Sequence, residues 1–306
     1  MRIAFVGASG YGNVGDDTYP LVFREHLPGH ELFFFNSDLP REMPEGIRLL
    51  VLGGGGIIYN SQMDPPEAES PHFVAMKHYL EWARRSGVPW GFLSCGVQFA
   101  IAAGQSPKNT AALKPWEPWL RDAAFVTVRS PVCKRVIDAL GSRADTRFFP
   151  DSAYLFGRQK QAGVARGRTR QFTVVPAGVI NVHDPFVQHF LAPFERASGW
   201  TLVWLNMGAM VDAGSVFDDA RHRYPGSVVI ERPTPDEAYA QIAASSFVLS
   251  GRYHGMVFAR SCGVPFFVPQ DAPSKIRHED YTTDPAQAIG HIDTIREHVA
   301  RLTAGA

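Results

Sequence analysis

Phe247-Val248-Leu249-Ser250-Gly251-Arg252-Tyr253-His254-Gly255-Met256-Val257-Phe258-Ala259 reads as a strand, a turn and a helix in one run. Phe247, Val248 and Leu249 have the apolar character of a strand buried in a parallel sheet. The apolar residues from Met256 onward continue as a helix to the breaker Gly263-Val264-Pro265. A strand feeding straight into a helix is half of a βα unit, and α/β sheets bind ligands beyond the carboxyl ends of their strands. Arg252 and His254 stand at that end. The first N–H groups of a helix together with a guanidinium suit a phosphate or carboxylate, and an imidazole beside them suits proton transfer. The same residues also allow a plainer reading, in which His254 caps the helix and Arg252 pairs with a carboxylate.

Working outward, short apolar runs alternate with helical patterns almost throughout, which predicts an α/β protein with mostly parallel sheets. In the first half, strands are expected at Ile3 to Val6, Leu32 to Phe35, Leu49 to Leu52, Trp90 to Ser94, Phe125 to Val128 and Arg147 to Phe149. Helices are expected from about Thr18, at Phe73 to Arg85 and at Val132 to Leu140. The stretch from Gly157 to Arg170 is basic, rich in Gly and Gln and poor in large apolar residues, so residues 157–170 read as a linker. Alternation then resumes with strands at Phe172 to Val175, Leu202 to Leu205, Val228 to Ile230, Phe247 to Leu249 and Phe266 to Val268. The helices there are Pro185 to Ala197, Pro235 to Ala244 and Tyr253 to Cys262. The expected organisation is a Rossmann-like domain over 1–156 and a second over 171–284, facing each other across a cleft. A last helical pattern within 285–306 is long enough to pack back on the first domain.

Composition narrows the function classes. Thirty basic residues balance thirty acidic ones, so there is no general attraction for nucleic acid or an anionic membrane. Any anion site must therefore be local. No apolar stretch approaches the roughly 18 residues of a membrane span, and the start of the chain lacks a signal-peptide pattern. Cys95, Cys133 and Cys262 are odd in number and far apart, which argues against a disulfide framework or a zinc site and fits a reducing cytoplasm. His26 and His30 are separated by Pro28 and Gly29, which break the helix that would align them as metal ligands.

Several further strand ends carry chemistry-bearing residues. Gly7-Ala8-Ser9-Gly10-Tyr11-Gly12-Asn13-Val14-Gly15-Asp16-Asp17 is a Gly-rich turn. Its acidic pair would repel a pyrophosphate, so a dinucleotide loop is excluded. Asp16 and Asp17 are either helix caps or cleft residues that bind or deprotonate a hydroxyl. Gly53-Gly54-Gly55-Gly56 clears side chains from a strand end, either for a ligand, the preferred occupant, or for a tight crossing of chain segments. Arg129 follows the fifth strand as either an anion ligand or half of an ion pair. Asp151, in Pro150-Asp151-Ser152-Ala153, leans towards a hinge or cap. Trp90, Trp116 and Trp119 are either sugar-stacking platforms or core.

These segments, in this order, resemble the polysaccharide pyruvyl transferase family. The likeness covers Gly12 to Asp17, Gly53 to Gly56, Phe125 to Ser130, Pro150 to Ala153, and Ser250 to Pro265 continuing to Lys275. It implies a fold similar to the two-domain GT-B glycosyltransferases. The implied activity moves the enolpyruvyl group of phosphoenolpyruvate onto sugar hydroxyls, giving a pyruvate ketal and phosphate. No metal or cofactor is implied beyond phosphoenolpyruvate as co-substrate. Arg252, His254 and Lys275 are implied at the phosphoenolpyruvate and proton-transfer site in the second, donor-side domain. Asp16 and Asp17 are implied across the cleft near the acceptor, in the first. Arg129, Asn13, Gly54 and Gly55 complete the expected substrate-binding set. Tyr253 departs from the family, where a smaller aliphatic residue is common, and Ala102 to Trp119 has no recognised counterpart.

Ketal formation requires fixed cations for a multiply charged donor, an acid near its methylene carbon and a base near the attacking hydroxyl. His254 is the expected acid, because an imidazole of ordinary pKa near 6.5 stays protonated when phosphate and carboxylate bind beside it. Asp16 or Asp17 is the expected base. The expected acceptor is a sugar or lipid-linked oligosaccharide, which leaves peripheral membrane contact open. Two rival readings stand beside this one. A glycosyltransferase using a nucleotide sugar would need a carboxylate for ribose hydroxyls, for which Glu231 and Asp236 are candidates. A non-catalytic member of the fold would need no proton-transfer group at all.

Overall fold

The computed structural model describes residues 1–36, 41–60, 68–97, 111–141, 145–161, 169–177, 182–196, 199–208, 214–269 and 281–304. The chain divides into two compact units. The first holds six strands, β1 (Arg2–Gly7), β2 (Glu31–Asn36), β3 (Ile47–Ile58), β4 (Trp90–Val97), β5 (Val126–Val128) and β6 (Thr146–Phe148), in the order β2-β1-β3-β4-β5-β6. The second holds β7 (Gln171–Val175), β8 (Thr201–Leu205), β9 (Val228–Ile230), β10 (Phe247–Ser250) and β11 (Phe266–Phe267), in the order β11-β10-β7-β8-β9. Every neighbouring pair is parallel. Parallel pairing requires long crossovers, and helices supply them. The strand order reverses at β1/β3 in one sheet and at β7/β10 in the other. Crevices for ligands open at such points, beyond the strand ends.

Local sequence accounts for the helices. Ser70 caps the helix Pro71–Arg85 by accepting from the Phe73 N–H, and Phe73, Met76, Tyr79, Leu80 and Ala83 bury one face of it. Ser130 does the same for Pro131–Ala139, and Thr234 with Glu237 forms a reciprocal capping box on Pro235–Ala244. Gly263, at φ 65°, ends the helix Tyr253–Cys262 in the left-handed conformation that glycine adopts without strain. Strands β1, β3 and β4 form a continuous core with the first of these helices. Each fully buried Leu, Val or Phe there contributes roughly 1.5–3 kcal/mol of transfer free energy.

Four expectations change at this level. The helix Ala153–Gln161 occupies the first part of the stretch expected as a linker, because Ala153, Tyr154, Leu155 and Phe156 are buried and carry the chain onward as a helix; residues 162–168 lie outside the described residues. Residues Gly10–Thr18 group with the second unit, so the first unit is not the continuous 1–156. Trp116, Trp119 and Trp90 are core rather than sugar platforms, with Trp116 fully buried and its indole N–H donating to the Tyr59 carbonyl at 3.0 Å. They account for the described part of the Ala102 to Trp119 segment, whose residues 102–110 lie outside it. Finally, the polar helix Gly214–Arg223 was not anticipated. The carboxyl-terminal helix Ile289–Ala304 belongs to the first unit.

Candidate active site

Strand β10 ends at Ser250, whose hydroxyl accepts from the Arg252 N–H at 3.2 Å and donates to the Arg252 carbonyl at 2.8 Å. That closed turn fixes the backbone of Arg252, the N-cap residue of the helix Tyr253–Cys262, in an extended conformation. Gly255 lies so close to the Ser250 hydroxyl that a Cβ there would overlap it. The Arg252 Nε donates to the Pro176 carbonyl at 3.2 Å, immediately after β7, so the side chain sits at the β7/β10 switch point. Its guanidinium covers Gly208, just after β8, where a Cβ would clash. Asn206 sets that approach, accepting from the Gly208 N–H and donating to the Glu231 carbonyl, both at 2.9 Å. Three strand ends thus hold one partly exposed cation.

His254 lies in the first turn of the same helix and is 7% exposed. Its Nδ1 is 3.9 Å from Asp16 Oδ1. Gly15 lies flat against the imidazole, leaving no room for a side chain. Asn13 donates to the other Asp16 oxygen at 2.6 Å, while Asp17 accepts from the Gly10 N–H at 2.7 Å. The two acidic neighbours therefore diverge: Asp16 faces the imidazole, and Asp17 staples its own loop. Burial raises the Asp17 pKa, partly offset by that backbone hydrogen bond. An acidic pair acting from the opposite domain is replaced by a carboxylate beside His254 within the second unit. An imidazole facing a carboxylate can move a proton, and a cation at the start of the same helix can bind an anion.

The first unit has a polar centre of its own. Arg129, 4% exposed, donates from Nη1 to Asp151 Oδ2 at 2.9 Å and lies 3.4 Å from the Tyr19 hydroxyl, which itself contacts both Asp151 oxygens at 3.0 Å. Its charge is balanced there by a fully buried carboxylate. His291 reaches the same strand ends from the helix Ile289–Ala304. Its Nε2 is 3.1 Å from the Pro150 carbonyl and its Nδ1 is 2.7 Å from Thr127 Oγ1, which also accepts from the Ser94 N–H. The Pro150 carbonyl calls for a proton on Nε2, and burial, which lowers the His291 pKa to about 4, favours the neutral ring with Nδ1 accepting from the Thr127 hydroxyl. Neither His291 nor Ser94, a non-glycine residue at φ 51°, was anticipated from sequence; an apolar helix pattern hid the first and an ordinary strand pattern the second. The glycine run serves close packing: a Cβ at Gly53 would strike the Leu93 carbonyl, and one at Gly54 would lie 2.6 Å from the Tyr19 ring. Gly54 and Gly55 have φ of 75° and 101°, which explains the residue type without a ligand. Lys275 lies outside the described residues. Among the described residues no cluster of His, Cys, Asp or Glu could hold a metal, and no helix is long and apolar enough to cross a membrane.

The model of one family, polysaccharide pyruvyl transferase, matches residues 16–268. The chain belongs to that family. Asp16, Arg252 and His254 all fall inside the match. No curated protein matches the chain by sequence. Among solved structures, a UDP-GlcNAc 2-epimerase from Neisseria meningitidis bound to UDP-GlcNAc is similar, at 9% identity, 99% coverage of this chain, 93% of that one and a TM-score of 0.56. A putative UDP-N-acetylglucosamine 2-epimerase from Listeria monocytogenes is similar at 12% identity, 95% and 86% coverage and a TM-score of 0.58. These likenesses establish the fold class expected from the sequence, two Rossmann-like units of GT-B type, and carry nothing about substrate. In this pyruvyl transferase family member, Glu231 is paired with Arg221, and Asp236 lies in the first turn of the helix Pro235–Ala244.

Proposed function

We propose that the protein transfers the enolpyruvyl unit of phosphoenolpyruvate to two hydroxyls of one sugar, forming a pyruvate ketal and releasing phosphate. The observation that supports this reading is the pair that Asp16 forms with His254, in the first turn of the helix whose N-cap residue, Arg252, sits at the β7/β10 switch point. Arg252 holds the phosphate or carboxylate of the donor, with Lys275 as a second cation. His254 gives a proton to the methylene carbon, leaving an oxocarbenium at the adjacent carbon. A sugar hydroxyl attacks that carbon and its proton passes to the now neutral imidazole. The carbon–phosphate oxygen bond then breaks, the second hydroxyl adds, and its proton leaves with phosphate. Asp16 is a positioning residue on this scheme: it orients the imidazole and stabilises its charged form, while Asn13 holds Asp16.

The acceptor is a sugar of a polysaccharide or of its lipid-linked precursor, modified in the cytoplasm. The test supplies phosphoenolpyruvate with a panel of sugars and follows phosphate release together with the mass of the sugar. Equimolar phosphate and ketal support the reading; phosphate release without a mass gain on any sugar defeats it. The nucleotide-sugar alternative has the fold on its side, but its ribose-binding candidate Glu231 is occupied by Arg221. Thermal shift separates the readings, since a ligand at 100 times its Kd stabilises by about 2.7 kcal/mol. Stabilisation by nucleotide sugars and not by phosphoenolpyruvate would favour the alternative, and stabilisation by neither would favour a non-catalytic protein.

A further inference from the structure

His254 packs against the Gly-rich loop Gly10–Thr18, which belongs to the same unit. The glycines of that loop are glycines for different reasons. Gly10 and Gly12 have φ of 89° and 73°, a left-handed backbone that a side chain strains, and a Cβ on Gly12 would meet nothing within 4 Å. Gly15 does not adopt that conformation, so its backbone does not call for glycine. A Cβ on Gly15 would instead overlap Cβ, Cγ and Nδ1 of His254. Room for the imidazole is therefore the reason for glycine at position 15.

The Gly15 peptide is itself fixed. Its carbonyl accepts from the Thr18 hydroxyl at 2.6 Å and from the Thr18 N–H at 3.2 Å. Thr18 is fully buried, so water does not compete for that carbonyl from the Thr18 side. Tyr253, 3% exposed, also packs on the imidazole, its ring at 77° with centroids 5.2 Å apart. The ring of His254 thus meets a locked peptide, an aromatic side chain and the Asp16 carboxylate.

We propose that Gly15 and Thr18 are positioning residues for His254: the Thr18-locked Gly15 peptide sets the plane of the imidazole, turns Nδ1 towards Asp16 and leaves Nε2 to transfer the proton. The carboxylate, 3.9 Å from Nδ1, favours the tautomer protonated on that nitrogen. A ring pushed out of this plane misplaces the transferring nitrogen, and a displacement of about 1 Å costs about 10²-fold in rate. The rate effect rests on the proton-transfer role given to His254 above; the orientation of the ring does not.

The variants Gly15→Ala, Thr18→Val, Thr18→Ser and Gly12→Ala are made in the full chain. Each is followed by kinetics with phosphoenolpyruvate and sugar and by nitrogen-15 NMR of the imidazoles, with His254→Ala assigning the His254 signals. Gly15→Ala should lower kcat by about 10²-fold, keep the thermal shift given by phosphoenolpyruvate and move the His254 ring signals. Thr18→Val removes one hydrogen bond at constant volume and should lower kcat by about three- to ten-fold, whereas Thr18→Ser keeps the hydroxyl and should restore it. Gly12→Ala strains the loop without reaching the ring, so the His254 signals should stay in place. Because Gly15 acts through the imidazole, adding Gly15→Ala to His254→Ala should cost nothing further in kcat. An additive loss in that double variant, or unmoved His254 signals in Gly15→Ala, overturns the proposal. If Gly15→Ala does not fold, the Thr18 pair decides, and equal kcat and equal His254 signals in Thr18→Val and Thr18→Ser overturn it. If the parent protein converts no sugar while the signals move in Gly15→Ala and not in Gly12→Ala, the positioning stands and the ketal reading falls.

Discussion

The two units each place an arginine, a histidine and an aspartate at strand ends, and they use them in opposite ways. In the first unit, Arg129 and Asp151 are 4% and 0% exposed, the Tyr19 hydroxyl bridges to the same carboxylate, and His291 is locked neutral between Pro150 and Thr127. In the second, Arg252 keeps partial exposure at a switch point and His254 faces Asp16 at 3.9 Å. Breaking a buried ion pair by removing one member costs about 3–5 kcal/mol, so the first arrangement is tied to folding. A partly exposed cation costs less to keep than a buried one, because water still screens its charge. Residue type at a strand end therefore does not distinguish the two arrangements; the exposure of the arginine does.

That contrast can be broken, most decisively at His254. His254→Ala should lower kcat by a factor of about 10² to 10⁴ with little change in melting temperature or in phosphoenolpyruvate affinity. A near-normal rate would remove it from the mechanism. Asp151→Ala should show the reverse pattern, losing about 3–5 kcal/mol in chemical denaturation through the stranded Arg129 charge. If it melts like the parent protein while activity disappears, the first unit's pair is functional after all.

A pH series sharpens the comparison further. His291 has its pKa lowered from 6.5 to about 4, so between those values the unfolded chain binds a proton that the folded chain refuses. Stability should be complete above pH 6.5, fall as the pH drops towards 4 by at most about 3 kcal/mol, and level off below. His291→Gln should flatten that part of the curve. The smallest effect is expected from the acidic pair. Asp17→Asn keeps an acceptor for the Gly10 N–H and should leave the rate within about three-fold, whereas Asp16→Asn should slow it by about ten-fold or more. Equal effects at the two positions would end the distinction drawn between them.

The inner strands β1, β3, β4, β5, β7 and β10 were legible as apolar or β-branched runs, because a strand buried on both faces has few alternatives in composition. The segment Ser250 to Gly255 was legible as a strand-to-helix turn, because that turn needs the Ser250 hydroxyl and the bare backbone of Gly255. Less was readable where one residue type has two uses. Gly53 to Gly56 suggested a ligand, but the strand packs against Leu93 and Tyr19 there, and nothing local records the approach of a distant segment. Arg129 looked like an anion ligand because Asp151 is 22 residues away in the chain. Trp116 could be read as platform or core, and its full burial decides for core.

The sequence alone settled the alternation of strands and helices, the neutral overall charge and the family, since these depend on residue chemistry and short spacings. The tertiary structure decided which charges cancel one another and that Asp16 rather than Asp17 meets His254. Pairings of this kind join residues tens to hundreds of positions apart, and their strength depends on distance and burial, which only the folded chain sets.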